Sequence, residues 1–103
     1  MLNFDNLEFD LGEIKYGIVK TVDVNVTNDT SSVVSLTPAN ASCSCTTGYM
    51  DYTTLQPKSK GVFKISLNTS KSGKGKQARS IALNYSIDRK SFSQIFRIKA
   101  NVV

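Results

Sequence analysis

The chain has 103 residues, of which 40% are apolar and 20% charged, and its formal net charge is +5. This length and composition are typical of one globular domain with a single core, residues 1–103, and not of a disordered chain. The absence of histidine excludes Ser-His-Asp and Cys-His nucleophilic sites and histidine-ligated metal sites, and no apolar run is long enough to cross a bilayer.

Alternation of apolar and polar residues with a period of two runs through most of the chain, as expected of half-buried strands. The alternating segments are rich in Val, Ile, Thr, Phe and Tyr, which suit a pleated surface. No window has an apolar stripe with the 3.6-residue period of a capped helix. The predicted strands cover residues 7–11, 18–27, 33–37, 63–69, 81–87 and 92–102.

Turn signals separate these strands. Polar residues fill 27–32, and two polar segments, 70–76 and 86–91, are predicted to be hairpin tips. Pro38 and Pro57 lack an N–H group for a central ladder, so we expect them at strand ends or edges. The pattern predicts an all-β sandwich of seven to eight antiparallel strands, with a small barrel as the alternative.

Charge is distributed unevenly along the chain. Residues 1–51 contain seven acidic and two basic residues (net −5), whereas residues 52–103 contain eleven basic and one acidic residue (net +10). A basic surface that binds an acidic partner is one interpretation, and mixing of the charges by interleaved strands is the other. The predicted interaction residues are Lys58, Lys60, Lys71, Lys74, Lys76 and Arg79.

Cys43 and Cys45 are the only cysteines. Two residues apart on a strand, they share a face with Cα atoms about 6.6 Å apart, the upper limit for a disulfide. Two thiols cannot complete a zinc site, although they could hold Cu(I). We interpret both as structural cysteines, and we expect no metal and no cofactor.

The sequence pattern argues against two other functions, phosphate binding and nucleic-acid binding. The segment 70–77 lacks the first glycine of a phosphate-binding loop and precedes a strand instead of a helix. Most aromatic residues of the basic half lie on apolar strand faces, where the core needs them, so they are not available to stack on bases. We therefore expect no nucleic-acid partner, no membrane partner and no small-molecule substrate.

Several segments resemble the motifs of one known protein family. Residues 7–17, LEFDLGEIKYG, resemble its F-D-F-G-x-I-x-x-G opening, and residues 24–28, VNVTN, resemble its strand ending in Asn. Residues 41–46, ASCSCT, are similar to its A-S-C-G-C-T segment, with Ser44 in place of Gly. Residues 55–61, LQPKSKG, resemble I-x-P-G-x-x-G, with Lys58 in place of Gly.

Together these segments resemble a bacterial Ig-like family, domain of unknown function 1573. The resemblance implies a seven-stranded Ig-like sandwich related to Hydin-type and major-sperm-protein-type domains, without catalytic activity or cofactor. The chain is also similar to short stand-alone virion proteins of tailed phages. Because the first residues lack a leader pattern, the leading hypothesis is an auxiliary or decoration protein bound to capsid or other virion proteins in a repeating lattice. The alternative is a periplasmic or cell-surface bacterial module that binds protein or glycan.

Overall fold

The computed structural model describes residues 2–41, 44–50 and 53–103, with the backbone alone at 38–41. Two sheets pack face to face, as expected for an Ig-like sandwich. The four-stranded sheet has the order β1 (Leu2–Phe4), β3 (Val19–Asn28), β7 (Lys60–Asn68), β5 (Thr46–Met50). The five-stranded sheet has the order β2 (Glu8–Ile14), β9 (Lys90–Val102), β8 (Gly75–Ile87), β4 (Val34–Ala41), β6 (Thr54–Leu55).

The core lies between the sheets and contains the inward half of each alternation. Phe63 of β7 and Phe96 of β9 are fully buried, with ring centroids 5.4 Å apart, and Phe4 packs edge-on against Phe96 at 5.3 Å. Leu67 and Leu83 are buried as completely. The alternation therefore predicted the all-β sandwich correctly, and the structure confirms that fold class over the part of the chain that it describes.

The pairing of the first strands differs from the prediction of a purely antiparallel sandwich. Strand β1 pairs antiparallel with β3, whereas β2 pairs parallel with β9, so the first segment of the chain contributes to both sheets. The register of β2 shifts between Asp10 and Glu13, where Gly12 has a φ of 67°. Counting β1 and the two-residue β6, the described part of the chain contains nine strands.

Residues 69–74 connect the two sheets, because β7 pairs with β3 and β5 whereas β8 pairs with β9 and β4. The prediction of a hairpin tip at 70–76 is therefore wrong. The segment contains one helical turn, α1 (Thr69–Ser72), which begins where the Asn68 side chain accepts a hydrogen bond from the Ser70 backbone N–H. The second predicted tip is confirmed: β8 and β9 form a hairpin whose turn residues Asp88 and Arg89 both have positive φ.

Pro38 lies inside β4, next to a register shift against β8, and it occupies an edge position, one of the two placements that we expected. Strand β6 pairs only with Val34 and Ser35, so none of the described strands lies beside β4 on that side at Pro38. A proline is compatible with a strand at such an open, irregular position because no ladder hydrogen bond is lost there.

Asn28 at the end of β3 is a fully buried polar residue. Its Nδ2 donates to the carbonyl oxygens of Ser32, Leu55 and Gln56 at 2.9–3.1 Å. Its Oδ1 accepts from the backbone N–H and the hydroxyl of Thr30. One side chain therefore joins the 28–32 and 55–59 loops at this end of the sandwich, which we call the Asn28 end.

Candidate interaction surfaces

The opposite end of the sandwich is formed by the 14–20 loop, the 68–76 crossover and residues 102–103. The backbone N–H of Tyr16 donates to the Val103 carbonyl at 3.0 Å, and the Tyr16 hydroxyl donates to the Ser70 carbonyl at 3.3 Å. The fully buried Thr69 donates from its hydroxyl to the Ile18 carbonyl at 2.7 Å. These bonds join three separate segments into one surface, which we call the basic end.

Four large apolar side chains are exposed on the basic end. Tyr16, Ile18, Val19 and Val103 are 48%, 46%, 55% and 53% exposed. The alternation placed Ile18 and Val22 on the apolar face of β3 and Val19 on the opposite face, but full burial begins only at Val24. An exposed apolar group of this kind, within a polar rim, is typical of a binding surface.

The segments that contain these apolar residues are also rich in lysine. The ammonium of Lys74 lies 5.5 Å from the centre of the Tyr16 ring, within the range of a cation–π contact. No acidic residue occurs in segments 14–20, 68–76 and 102–103. The lysines of these segments are Lys15, Lys20, Lys71, Lys74 and Lys76.

The six predicted interaction residues do not form one patch. Lys71, Lys74 and Lys76 belong to the basic end, whereas Lys58 and Lys60 lie near the Asn28 end, where the Lys58 ammonium donates to the Asp29 carbonyl. The nine residues of β7 separate the two groups by roughly 26 Å. A contiguous basic segment of sequence therefore becomes two separate surfaces.

Arg79, the sixth of these residues, is directed toward the space between the sheets. Its Nε donates to the Cys45 Sγ at 3.4 Å, and its terminal nitrogens donate to the Gln77 side chain and the Ala78 carbonyl. This half-buried guanidinium links the start of β8 to Cys45, the residue before β5. We assign Arg79 to the packing of this end and not to a docking surface.

Cys45 is 1% exposed and disulfide-bonded. Its position between the sheets agrees with a structural role, although the spacing argument had placed a disulfide at the limit of feasible geometry. Cys43, the other predicted structural cysteine, lies outside the described residues. Among the described residues, no three or more acidic or cysteine side chains converge as a metal site would require.

The outer face of the five-stranded sheet contains an open groove of about 500 Å³. Hydroxyl and amide side chains of β4, β8 and β9 line it, and none of them is charged at neutral pH. Its lining residues are Ser35, Thr37, Asn84, Tyr85, Ser86, Ser91, Phe92 and Ser93. Sequence reasoning missed this groove because the alternation marks outward positions without showing which strands are neighbours.

Two ionisable groups have pKa values shifted by their surroundings. The pKa of Asp5 is lowered, because the Asn25 side chain and backbone N–H both donate to its carboxylate, at 2.7 and 2.9 Å. Burial raises the pKa of Tyr85, whose ring stacks on Phe92 with centroids 5.3 Å apart. Both arrangements join strands, Asp5 to β3 and Tyr85 to β9.

None of the helices described is long and apolar enough to span a membrane.

Solved structures with the same fold have very different roles. The VesB protease of Vibrio cholerae is 15% identical, with a TM-score of 0.72, and the match covers 97% of this chain and 31% of that one. The PapD-like domain 7 of human CEP192 is 10% identical over 99% of this chain and 84% of that one, with a TM-score of 0.74. The periplasmic chaperone SfaE is 10% identical, with a TM-score of 0.70, and the match covers 99% of this chain and 57% of that one.

This chain spans about a third of VesB and just over half of SfaE, so these similarities concern one domain of each larger protein. At such identities they establish a shared Ig-like, PapD-like sandwich and nothing about activity. No curated protein matches the sequence significantly. The family model described as "Protein of unknown function (DUF1573)" matches residues 2–102. The resemblance seen in the motifs is thereby confirmed, and the chain belongs to the DUF1573 family.

Proposed function

We propose that the chain is a non-enzymatic structural module that binds an acidic protein surface through its basic end. The observation that carries this proposal is the group of exposed apolar residues in segments that contain five lysines and no acidic residue. We propose further that the bound surface is the shell of a phage particle, where the chain is an auxiliary or decoration protein on a repeating lattice.

The two parts of the basic end have different tasks in this mechanism. Burial of Tyr16, Ile18, Val19 and Val103 against a partner removes apolar surface from water and supplies affinity. The lysine rim is attracted to an acidic surface, which raises the association rate and makes binding weaken as salt is added. The two packed sheets act as a rigid support that presents the opposite end to solvent.

A second candidate, a periplasmic or cell-surface module, is favoured by the disulfide at Cys45. Disulfides persist in oxidising surroundings, which include the bacterial periplasm as well as virion and cell surfaces. In this setting the partner is an envelope protein or a glycan. The uncharged groove around Asn84 offers hydroxyl and amide groups of the kind that hydrogen-bond a sugar.

Fractionation separates the two candidates. We expect mass spectrometry of purified phage particles to find the chain at a fixed stoichiometry to the capsid protein, and washing with concentrated salt to remove it. Particles that lack the chain would refute the virion proposal. Recovery with the host envelope would support the second candidate.

Charge reversal tests the docking surface itself. We expect the triple variant Lys71→Glu, Lys74→Glu, Lys76→Glu to lose binding to purified particles or envelope. Its matched control is Lys60→Glu, Arg89→Glu, Lys90→Glu, which makes the same change of charge on the side of the Asn28 end. Equal loss of binding by both variants would show that net charge matters and the basic end does not.

A further inference from the structure

Of the four strands at the edges of the described sheets, β5 is the one without a feature that prevents further pairing, and the open part of β4 contains Pro38 and a register shift. Strands β1 and β6 have only three and two residues, and β2 carries Glu8, Asp10 and Glu13 and a register shift. Natural sheets protect their edges by such short lengths, charges and bulges. Strand β5 has five residues, Thr-Thr-Gly-Tyr-Met, with no charge and no proline.

The ladder with β7 determines which backbone groups of β5 point outward. Cys45 lies in register with Asn68, whose N–H donates to the Cys45 carbonyl at 2.7 Å. In an antiparallel ladder, residues alternate between bonding the neighbour and pointing away from it. Thr46, Gly48 and Met50 therefore direct their N–H and C=O groups away from β7. Among the described strands, none pairs with that side of β5.

We propose that β5 pairs antiparallel with β5 of a second copy of this chain. A twofold axis at Gly48 places Gly48 opposite Gly48 and Thr46 opposite Met50, so that every outward-pointing residue meets an outward-pointing residue. Any other antiparallel register leaves some of these groups unpaired. The two four-stranded sheets then join into one continuous sheet.

Side chains favour the same register. Thr47 and Tyr49 are exposed on the outer face of β5, with Tyr49 58% exposed. In the twofold arrangement each Thr47 lies opposite Tyr49 of the other copy, at the non-hydrogen-bonded positions where side chains are closest. Aromatic and β-branched residues are a favourable cross-strand pair, and no like charges oppose each other along the strand. A two-strand contact is smaller than a standard interface, so the dimer forms only at high concentration.

Amide hydrogen exchange of the unmodified protein tests the pairing without a substitution. On going from micromolar to millimolar protein, we expect slower exchange at Thr46, Gly48 and Met50. Exchange at Thr47 and Tyr49 is expected to stay unchanged, because β7 already accepts their hydrogen bonds. No concentration dependence at the three outward amides would overturn the proposal.

Charge complementation tests the register. The Thr47→Lys, Tyr49→Lys variant and the Thr47→Glu, Tyr49→Glu variant are each expected to sediment as monomers where the unmodified chain dimerises. Their mixture is expected to sediment as a dimer, because each lysine then faces a glutamate. The control Asn84→Lys, Ser93→Lys, on the outer face of the other sheet, is expected to dimerise like the unmodified chain. A monomeric mixture, or dimerisation of either charged variant alone, would refute the register. The test does not depend on which surface the basic end binds.

Discussion

Replacing Asn28 tests whether one buried amide holds the two loops of its end together. In Asn28→Ala, the carbonyls of Ser32, Leu55 and Gln56 lose their donor, and the Thr30 N–H and hydroxyl lose their acceptor. A buried polar group left without a partner costs about 1–3 kcal/mol. Because the Leu55 carbonyl is the most buried of these groups and water can reach the others in part, we expect a loss of about 3–5 kcal/mol in the free energy of unfolding.

Urea denaturation followed by circular dichroism measures this loss, and a thermal melt provides a second reading. For a domain of this size we expect the melting temperature to fall by roughly 15–25 °C. The matched control is Asn84→Ala on the solvent-facing side of β8, where we expect a change within about 0.5 kcal/mol. If Asn28→Ala costs no more than Asn84→Ala, the interpretation of Asn28 as the link between the loops is refuted.

The variant Asn28→Asp adds a pH dependence with a defined sign. A carboxylate at this position faces three carbonyl oxygens, so the folded state favours its protonated form and raises its pKa above the unfolded value. Stability is then highest below the unfolded pKa and is lost as pH rises through the folded one. Denaturation of this variant across acidic pH, against the unmodified chain, measures the difference, and equal pH profiles would contradict it.

Three further substitutions test single contacts by the same denaturation assay. Gly48→Ala places a Cβ 2.7 Å from the Phe63 ring, and we expect a loss of about 1–3 kcal/mol in the free energy of unfolding. An unchanged denaturation midpoint would show that the core accommodates the added methyl group without loss of stability. Arg89 has a φ of 67° in the hairpin turn, a conformation that is strained for a residue with a side chain. Arg89→Gly is expected to remove this strain and to raise the free energy of unfolding by about 1 kcal/mol. Any loss of stability would mean that the arginine side chain stabilises the fold by more than the strain destabilises it. Asp5, whose pKa is lowered by Asn25, contributes stability above the ordinary carboxyl pKa near 3.8 that is lost as pH falls below it. We expect Asp5→Asn to lose that dependence, and an unchanged acid profile would contradict the assignment.

The sequence predicted local structure well, because alternation depends only on neighbouring residues. It identified the β8–β9 hairpin from its polar turn, and the apolar faces of β7 and β8 from Phe63, Ile65, Leu67 and Leu83. It could not predict that residues 69–74 cross between the sheets, because a polar turn looks the same whether its flanking strands pair with each other or with different neighbours. The parallel β2–β9 pair was missed for the same reason.

The candidate sites were harder to predict, because a surface depends on which segments meet. Tyr16 and Val103 are distant in sequence, and nothing in either segment shows that a backbone hydrogen bond joins them. Lys60 and Lys71 are closer in sequence, but a strand that runs the length of the sandwich separates them. The sequence showed Asn28 only as a turn residue at the end of a family motif. Its structural role could not be predicted because its buried hydrogen-bond partner, the Leu55 carbonyl, is almost thirty residues away in the sequence.

Synthesis from the amino to the carboxyl terminus makes the position of β2 significant. Glu8 is in register with Arg97, and Ile14 with Val102, so the one described strand that pairs with β2 is β9, which is synthesised about eighty residues later. The five-stranded sheet is therefore completed only after translation of the domain has nearly ended. A nascent chain stalled before β9 is expected to expose its apolar faces to chaperones, and emergence of β9 from the ribosome is expected to allow the sandwich to close.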